Sequence, residues 1–252
     1  MTLSLLPSDD GQRAGRLSEI ETWIFDLDNT LYPSECNLFA QIDQRMGTFL
    51  AEFLGCDLAE ARRVQKDYYY RYGTTLAGLM AEHKLPPHRF LDFVHDIDLA
   101  PVCESPDLGV AIEKLPGRKY IFTNGSRAHA ERVARKLGVL HHFDDVFDIV
   151  AGAYIPKPSA DAYNRFLKAH GVEPKTGAMF EDIPHNLEAP HALGMTTVLV
   201  RSTYIDHPSQ AGIAEWRILP PHVHHMTADL TGFLRDTLAH IASHKATCLD
   251  AQ

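Results

Sequence analysis

The order of its apolar segments limits the fold of this chain more than any other feature. A short β-forming run spans residues 22–27, and from residue 106 onwards similar runs alternate with helical patterns. We predict these later strands at residues 120–123, 146–150, 178–181 and 197–200. Strands that alternate with helices are typical of a parallel sheet covered by helices on both faces.

A long stretch between the first strand and the others shows helical periodicity only. Apolar residues recur at three- and four-residue spacing from Phe39 to Phe53, and Gly55 ends that segment. Similar spacing predicts three more helices before residue 105. We therefore expect an α/β protein: a Rossmann-like parallel sheet core with helices on both faces plus an inserted helical cap domain. The core takes residues 20–32 and 106–243, the cap 33–105, and tails 1–19 and 244–252.

Charge and hydropathy exclude several classes of partner. The chain has 252 residues, a formal net charge of −9 and no Lys/Arg run, which argues against a nucleic-acid polymer as partner. No apolar run approaches a membrane span, and the N-terminus lacks the apolar core of a secretory signal. We expect no membrane association and a cytoplasmic location. A small anionic substrate is compatible with the negative net charge if a metal or a local lysine offsets that charge.

The cysteines and histidines do not form a recognisable zinc site. Cys36, Cys56, Cys103 and Cys248 are scattered without a CxxC pair, which is typical of free thiols in a reducing compartment. The segment "HVHH" at 222–225 lacks a complete ligand set at a standard spacing. We interpret it as a turn and a strand edge.

Polar side chains follow four of the predicted strands where each strand ends. These side chains are Asp26 and Asp28, then Thr123 and Asn124, then Lys157 in the loop "YIPKPS", then Glu181 and Asp182. Each group by itself is compatible with a turn, a helix cap or an exposed loop. Because ligands of parallel sheets bind beyond the carboxyl ends of the strands, the joint pattern predicts one site.

These segments resemble the haloacid dehalogenase (HAD) superfamily of phosphatases. That superfamily carries a DxDx[TV] motif on the first strand, matched here by Asp26–Thr30, followed by a Thr or Ser, a Lys and a late acidic pair. The resemblance covers about residues 20 to 240. Four segments resemble sequences of the pyrimidine 5′-nucleotidase-like branch of this superfamily. They are "FDLDNTLYP", "TNG", "PKP" and "FEDIPHNLEAPHALGM".

The resemblance implies a role for each matching residue. Asp26 would be the nucleophile that forms an aspartyl-phosphate. Asp28 would protonate the leaving oxygen and then activate water, so we expect its neighbours to raise its pKa. Thr123, Asn124 and Lys157 would bind the phosphate, with Lys157 also neutralising Asp26.

A magnesium ion is implied as the cofactor. Its ligands would be the Asp26 carboxylate, the Asp28 backbone carbonyl and the Asp182 carboxylate, since Mg²⁺ prefers oxygen donors. Glu181 is a further candidate ligand. Asn186 stands where related enzymes often have an acid, and we do not count it as a ligand.

The expected function is Mg-dependent hydrolysis of a small phosphorylated metabolite, such as a pyrimidine nucleoside 5′-monophosphate. A sugar-phosphate phosphatase or a phosphomutase would use the same core residues. A phosphate-sensing or partner-binding module without activity is the non-enzyme alternative. Haloacid dehalogenation is disfavoured because it has no use for Asp28 as an acid or for the late carboxylates.

The segment "YYYRYGTT", residues 68–75, is the most unusual part of the predicted cap. Its tyrosines would stack on a base, and Arg71 would bond a ring carbonyl. The alternative interpretation packs two of the tyrosines in the cap core and leaves the others on the surface. The cap entry at Pro33–Asn37 is a rival candidate for substrate contact.

Overall fold

The computed structural model describes residues 17–201, 212–213 and 216–250, with side chains up to residue 244. Residues 1–16 of the predicted N-terminal tail lie outside this range. The strands are β1 (Thr22–Phe25), β2 (Arg118–Phe122), β3 (Asp145–Phe147), β4 (Gly177–Glu181), β5 (Thr196–Val200) and β6 (His225–Thr227). The helices are α1 (Leu38–Leu54), α2 (Leu58–Tyr72), α3 (Thr75–His83), α4 (Pro87–Val94), α5 (Pro106–Lys114), α6 (Arg127–Lys136), α7 (Ala160–His170), α8 (Glu188–Ala192) and α9 (Leu230–Asp250).

All six strands belong to one parallel sheet, in the order β3-β2-β1-β4-β5-β6. The predicted parallel sheet is confirmed. Strand β1 lies in the middle, with Phe25 opposite Ile121 of β2 and Phe180 of β4. The polar residues that follow these three strands are therefore neighbours at one edge of the sheet.

Helices cover both faces of the sheet, and the side-chain alternation of β1 shows why. Trp23 and Phe25 point into a core shared with helices α5, α6 and α9, whereas Ile24 points into a second core shared with α7. All three side chains are at most 1% exposed. Burying a large apolar side chain contributes about 1.5–3 kcal/mol, so this strand is stabilised from both sides.

The helical insertion lies between β1 and β2, as predicted. Helix α1 packs against α2 and α4, and α2 packs against α3. Phe49 of α1 lies at the centre of an aromatic group, with ring contacts to Phe53, Phe90 and Phe93. The insertion thus has apolar packing of its own.

Several boundaries differ from the sequence-based expectation. Strand β3 ends at Phe147 rather than at residue 150, because the Asp148 carboxylate accepts the N–H groups of Arg127 and Ala151 and turns the chain. The segment "HVHH" contains a turn and the start of a strand, as expected, but the short edge strand β6 that begins there was not predicted. Helix α9 continues to Asp250, past the predicted core boundary at residue 243, since residues 244–250 contain no helix-breaking Gly or Pro.

The structure gives the state of three of the cysteines and the hydropathy of the described helices. Cys36, Cys56 and Cys103 are free thiols, and the side chain of Cys248 lies outside the described residues. Within the ranges given above, none of the helices has the length and apolar character needed to cross a bilayer.

Gly117 provides a test of the contact between β1 and β2. Its φ is +79°, and a Cβ there would lie 2.0 Å from the backbone oxygen of Glu21, just before β1. We expect Gly117→Ala to lower the free energy of unfolding by about 3 kcal/mol or more, since the clash adds to the backbone strain of about 1–2 kcal/mol. Urea denaturation measures this change.

Gly138→Ala is the matched control for that substitution. Gly138 has a φ of +78°, but a Cβ would meet no atom within 4 Å. Only the backbone strain of about 1–2 kcal/mol is expected there. Equal destabilisation of the two variants would contradict the proposed clash with Glu21.

Candidate active site

The motif Asp26–Thr30 directly follows strand β1 and lies at the carboxyl edge of the sheet. The Asp26 N–H donates to the Phe180 oxygen at 2.9 Å, so Asp26 extends the pairing with β4. The chain then turns through Asn29, whose φ of 58° lies in the left-handed region that Asn tolerates. This turn brings the Thr30 hydroxyl to 3.3 Å from Asp26 Oδ2.

Lys157 is the central cation of the site and is 2% exposed. Its ammonium donates to Asp26 Oδ1 at 2.7 Å, to Glu181 Oε1 at 2.7 Å and to the Phe122 carbonyl at 2.9 Å. Burial lowers the pKa of Lys157, but the charges of Asp26 and Glu181 outweigh burial and hold the pKa above its ordinary value. Lys157 therefore stays charged and joins the ends of β1, β2 and β4.

The side chains of Asn124 and Thr123 have different hydrogen-bond partners. The Asn124 side chain accepts from Lys157 N at 2.8 Å and donates to Lys157 O at 3.1 Å. The Asn124 amide thus holds the backbone of the lysine loop, and the phosphate contact that we expect for Asn124 stays a prediction. Thr123 Oγ1 accepts from Gly125 N at 2.9 Å, which leaves its hydroxyl hydrogen for another acceptor.

Asp26, Glu181 and Asp182 form a buried acidic cluster, with ligand atoms within 4.8 Å of one another. Both carboxylate oxygens of Glu181 already accept hydrogen bonds. Oε1 accepts from Lys157 and from Asn186 Nδ2, the latter at 2.6 Å, and Oε2 accepts from Ile183 N at 2.8 Å. Glu181 thus accepts three hydrogen bonds, whereas Asp26 accepts two, from Lys157 and Thr30. All three carboxylates are candidate metal ligands, and Asn186 acts on Glu181.

The electrostatics of this cluster favour a bound cation. Burial raises the pKa of Asp26 to about 7 against the opposing charge of Lys157, and Glu181 and Asp28 add to the rise. Burial, with Glu181 and Asp26, also holds the pKa of Asp182 well above its ordinary value. With all three carboxylates ionised, the cluster would hold more negative charge than Lys157 offsets. An all-oxygen donor set of this kind suits a hard divalent cation.

Asp28 belongs to a separate hydrogen-bond network. Its Oδ1 accepts from the Tyr32 hydroxyl at 2.6 Å and lies 3.0 Å from His129 Nε2. Burial raises the pKa of Asp28, but the charge of His129 and the hydrogen bonds from His129 and Tyr32 bring it below its ordinary value. The expected rise in this pKa is therefore wrong for the free protein.

His129 and His95 are site residues that the sequence reasoning missed. His129 lies in the first turn of α6, whose N-cap Ser126 accepts from His129 N. The His95 ring stacks on the His129 ring at a centroid distance of 4.3 Å. Burial, followed by the charge of His129, lowers the pKa of His95 to about 3, so His95 is neutral. The first-turn position after Thr123–Gly125 could have indicated His129; nothing in the sequence spacing indicates His95.

A cavity of about 180 Å³ joins these groups to the helical insertion. The predicted residues Asp26, Asp28, Thr123, Asn124, Lys157 and Asp182 all line it. The opposite wall comes from helices α1, α2 and α4 and the start of α3.

The segment "YYYRYGTT" is only partly at this cavity. Tyr69 and residues 73–75 line it, whereas Tyr68 is buried with its hydroxyl 2.8 Å from His83 Nε2. Arg71 pairs with Asp67 and Glu82 on the surface and is not among the lining residues. The interpretation of Arg71 as a ring-carbonyl contact is wrong in this structure. The rival segment Pro33–Asn37 also lies outside the lining.

The parallel sheet carries a buried lysine surrounded by carboxylates at its carboxyl edge, which is where ligands of parallel α/β proteins bind. The chain belongs to the haloacid dehalogenase-like hydrolase family, whose model matches residues 20–194.

Individual relatives agree with this assignment. Phosphate metabolism protein 8 of Saccharomyces cerevisiae is 26% identical over 195 residues, which cover 71% of this chain and 61% of the yeast protein. The match thus spans about three fifths of that relative. A HAD family hydrolase of Deinococcus radiodurans, solved with bound phosphate and sodium, has a TM-score of 0.54 and 22% identity, covering 89% of this chain and 97% of its own. A HAD phosphatase of Thermococcus onnurineus has a TM-score of 0.55 and 18% identity, covering 87% and 98%. At these identities the two structures show the shared fold.

Removing the lysine charge tests the electrostatic role of Lys157. In Lys157→Met the Asp26 and Glu181 carboxylates stay buried without their cation. We expect the free energy of unfolding to fall by about 3–5 kcal/mol, the cost of removing one partner from a buried ion pair. Adding Glu181→Gln to this variant should recover part of the loss, because one uncompensated charge is removed. Denaturant unfolding at pH 8 measures both effects.

Lys168→Met, at an exposed position of α7, is the control for that pair of variants. It should stay within about 0.5 kcal/mol of the wild type. Wild-type stability of Lys157→Met would show that the buried carboxylates do not depend on this lysine.

Proposed function

We propose that this protein is a Mg-dependent phosphomonoester hydrolase that acts through an aspartyl-phosphate. The supporting observation is the unequal environment of two carboxylates only two residues apart. Asp26 is paired with the buried Lys157, whereas Asp28 is held by Tyr32 and His129. Such a difference suits one carboxylate to nucleophilic attack and the other to proton transfer.

In the first step, a carboxylate oxygen of Asp26 attacks phosphorus and the bond from phosphorus to the leaving oxygen breaks. Asp28 donates a proton to that oxygen. A phosphate dianion beside Asp28 adds negative charge, which raises the pKa of Asp28, so this residue takes up its proton together with the substrate. The bonds from Tyr32 and His129 converge on Oδ1 and orient the carboxyl group.

In the second step, Asp28 is ionised and accepts a proton from water. The water oxygen attacks phosphorus, and the bond between phosphorus and Asp26 breaks to release inorganic phosphate. The Thr123 hydroxyl would donate to a phosphate oxygen, and the Lys157 charge stabilises the carboxylate of Asp26 as the leaving group. The nearby N-terminus of α6 also favours an anion.

The acidic cluster fits the metal that the family implies. The Asp26 and Asp182 carboxylates and the Asp28 backbone carbonyl would hold Mg²⁺. Burial, followed by neighbouring charges, raises the pKa of both carboxyl groups, and a bound cation would favour their ionised forms. When bound, the metal supplies positive charge to the crowded oxygens of the transferring phosphoryl group.

The proposed substrate is a small phosphorylated metabolite, with pyrimidine nucleoside 5′-monophosphates as the leading candidates. Helices α1–α4 would act as the cap domain that closes over the leaving group. The apolar part of the cavity wall, including Phe39, Ile42 and Phe90, suits a ring better than a bare sugar. The sequence similarity to the nucleotidase-like branch supports the same choice. The name of the yeast relative, which refers to phosphate metabolism, supports a phosphorylated substrate in general.

Asp26→Asn tests the nucleophile. An amide is a poor nucleophile toward phosphorus, so turnover of p-nitrophenyl phosphate should fall by roughly 10⁴-fold or more. Asp161→Asn, an exposed change on α7, should leave turnover unchanged. Circular dichroism checks that both variants fold. Substantial activity of folded Asp26→Asn protein would rule out Asp26 as the nucleophile.

A substrate screen tests the specificity. It compares UMP, CMP, purine monophosphates, sugar phosphates and pyridoxal phosphate, each with Mg²⁺ and after chelation with EDTA. We expect the highest kcat/KM for UMP and CMP, and a loss of activity in EDTA that added Mg²⁺ restores. If UMP and CMP are no better than the others, the nucleotidase assignment fails while the phosphatase class stands. Full activity in EDTA would contradict the metal requirement.

A further inference from the structure

Gly125 leaves a small space open between Thr123 and the two stacked histidines. A Cβ on Gly125 would lie 3.3 Å from Thr123 Oγ1, 3.4 Å from His129 Cδ2 and 3.5 Å from His95 Nε2. Thr123, Gly125 and His95 all line the cavity. The Thr123 hydroxyl and the His95 ring therefore border one space within the cavity, which we name the Gly125 cradle.

His95 brings a ring nitrogen without a partner to this cradle. The residue is 7% exposed, and its Nδ1 lies 3.1 Å from Ser126 Oγ. Among the described residues, His95 Nε2 has no hydrogen-bond partner, yet it is not sealed from accessible space as His129 Nδ1 is. A largely buried polar atom that borders a cavity and lacks a partner fits a ligand.

Ser126 indicates which nitrogen of the His95 ring carries the hydrogen. Ser126 Oγ accepts from His129 N at 3.4 Å, and His95 Nδ1 is the acceptor within reach of its own hydroxyl hydrogen. We assign the hydroxyl hydrogen to Nδ1, since that assignment satisfies both groups. The low pKa of His95 keeps the ring neutral, so its one hydrogen is then on Nε2. His95 thus presents an N–H donor to the cradle.

The groups that border the cradle are suited to an oxygen that only accepts hydrogen bonds. Thr123 has its hydroxyl hydrogen left, because its oxygen already accepts from Gly125 N. The N-terminus of α6, capped by Ser126, lies beside the cradle and favours negative charge. Two donors and a helix N-terminus around one space fit an oxygen of a phosphoryl group.

The core fixes the position of His95, although this residue belongs to the insertion. Its ring stacks on the His129 ring at a centroid distance of 4.3 Å and an angle of 10°. Arg132 of α6 donates to the His95 carbonyl at 3.1 Å and to the Ile97 carbonyl at 3.4 Å. The donor is therefore held in place before a ligand arrives, which lowers the entropic cost of binding.

We propose that His95 is a catalytic residue whose Nε2–H donates a hydrogen bond to an oxygen of the transferring phosphoryl group, across the Gly125 cradle from Thr123. This inference rests on the proposed phosphatase function. A donor that is already oriented stabilises the charge on that oxygen without reorganisation. The insertion thus completes the phosphate site itself, besides lining the leaving-group end of the cavity.

The substitution His95→Phe tests this role, because it removes the donor and keeps an aromatic ring beside His129. Isothermal titration with inorganic phosphate in the presence of Mg²⁺ measures phosphate binding. We expect the Kd for phosphate to rise about 10–100-fold, as for one lost hydrogen bond to a charged group. The kcat/KM for p-nitrophenyl phosphate, UMP and ribose 5-phosphate should fall by one common factor of similar size. His95→Gln, which retains an N–H donor of similar reach, should recover part of both losses.

Gly125→Ala is a second test that leaves His95 intact. Its methyl group would occupy the cradle, and the φ of Gly125 lies outside the left-handed region, so no backbone strain is added. We expect a similar rise in the Kd for phosphate. The control is Gly109→Ala in α5, where a Cβ also has its nearest neighbour at 3.3 Å, the ring of His142, but away from this cavity.

His88→Phe is the matched control for His95→Phe. His88 is an exposed residue of α4 and does not line the cavity. Both control variants should bind phosphate and turn over all three substrates like the wild type.

Two results would overturn the inference. The first is unchanged phosphate binding in folded His95→Phe and Gly125→Ala protein. The second is unchanged phosphate binding in His95→Phe together with a larger loss of kcat/KM for UMP and ribose 5-phosphate than for p-nitrophenyl phosphate. Because p-nitrophenolate leaves with little help from an acid, that pattern would show that His95 acts on proton transfer through His129 and Asp28.

The same measurements separate this inference from the proposed function. Wild-type protein that binds phosphate but hydrolyses none of the three substrates with Mg²⁺ would contradict the phosphatase function, and the phosphate titrations would still decide the role of His95. Hydrolysis of all three substrates, with unchanged phosphate binding in His95→Phe, would contradict only the role of His95. Wild-type protein that neither binds phosphate nor hydrolyses the substrates would contradict both.

Discussion

The site depends on the ion pairs and the hydrogen bond of the buried Lys157 ammonium. It holds Asp26, Glu181 and the Phe122 carbonyl at the ends of three adjacent strands. Two carboxylates this close would repel each other in a low-dielectric interior, so the lysine makes their approach tolerable. Asn124 holds the lysine loop through two backbone hydrogen bonds. If Asp26, Glu181 and Asp182 are all ionised, their charge exceeds that of Lys157, which is the physical reason to expect a cation beside Asp26 and Asp182.

The second constraint is the separation of two hydrogen-bond networks across a single turn. Asp26 belongs to the lysine network, whereas Asp28 belongs to a network of Tyr32 and His129, with His95 stacked behind His129. In the proposed reaction this separation assigns attack to one carboxylate and proton transfer to the other. The low pKa of Asp28 in the free protein links its protonation to the arrival of an anionic substrate.

The helical insertion contributes the cavity wall opposite the sheet edge. Its helices pack on one another through Phe49 and its aromatic neighbours and turn two helix faces toward the cavity. Arg71 and Tyr69 lie close together on the same helix, yet Arg71 pairs at the surface while Tyr69 lines the cavity. Which side of a helix faces a ligand depends on how the helix packs, and residue type alone does not reveal it.

The sequence by itself determined the sheet, the helical insertion and the strand-end residues Asp26, Asp28, Thr123, Lys157 and Asp182, because periodicity and motif spacing are local properties. Tertiary structure alone decided the partners of those residues. His129 reaches Asp28 from 101 positions away, and this contact reverses the expected direction of the Asp28 pKa. The Asn124 amide bonds the lysine loop, and the Ser126 hydroxyl bonds His95 of the insertion. Hydrogen bonds between distant segments depend on the relative placement of whole elements, which residue spacing does not encode.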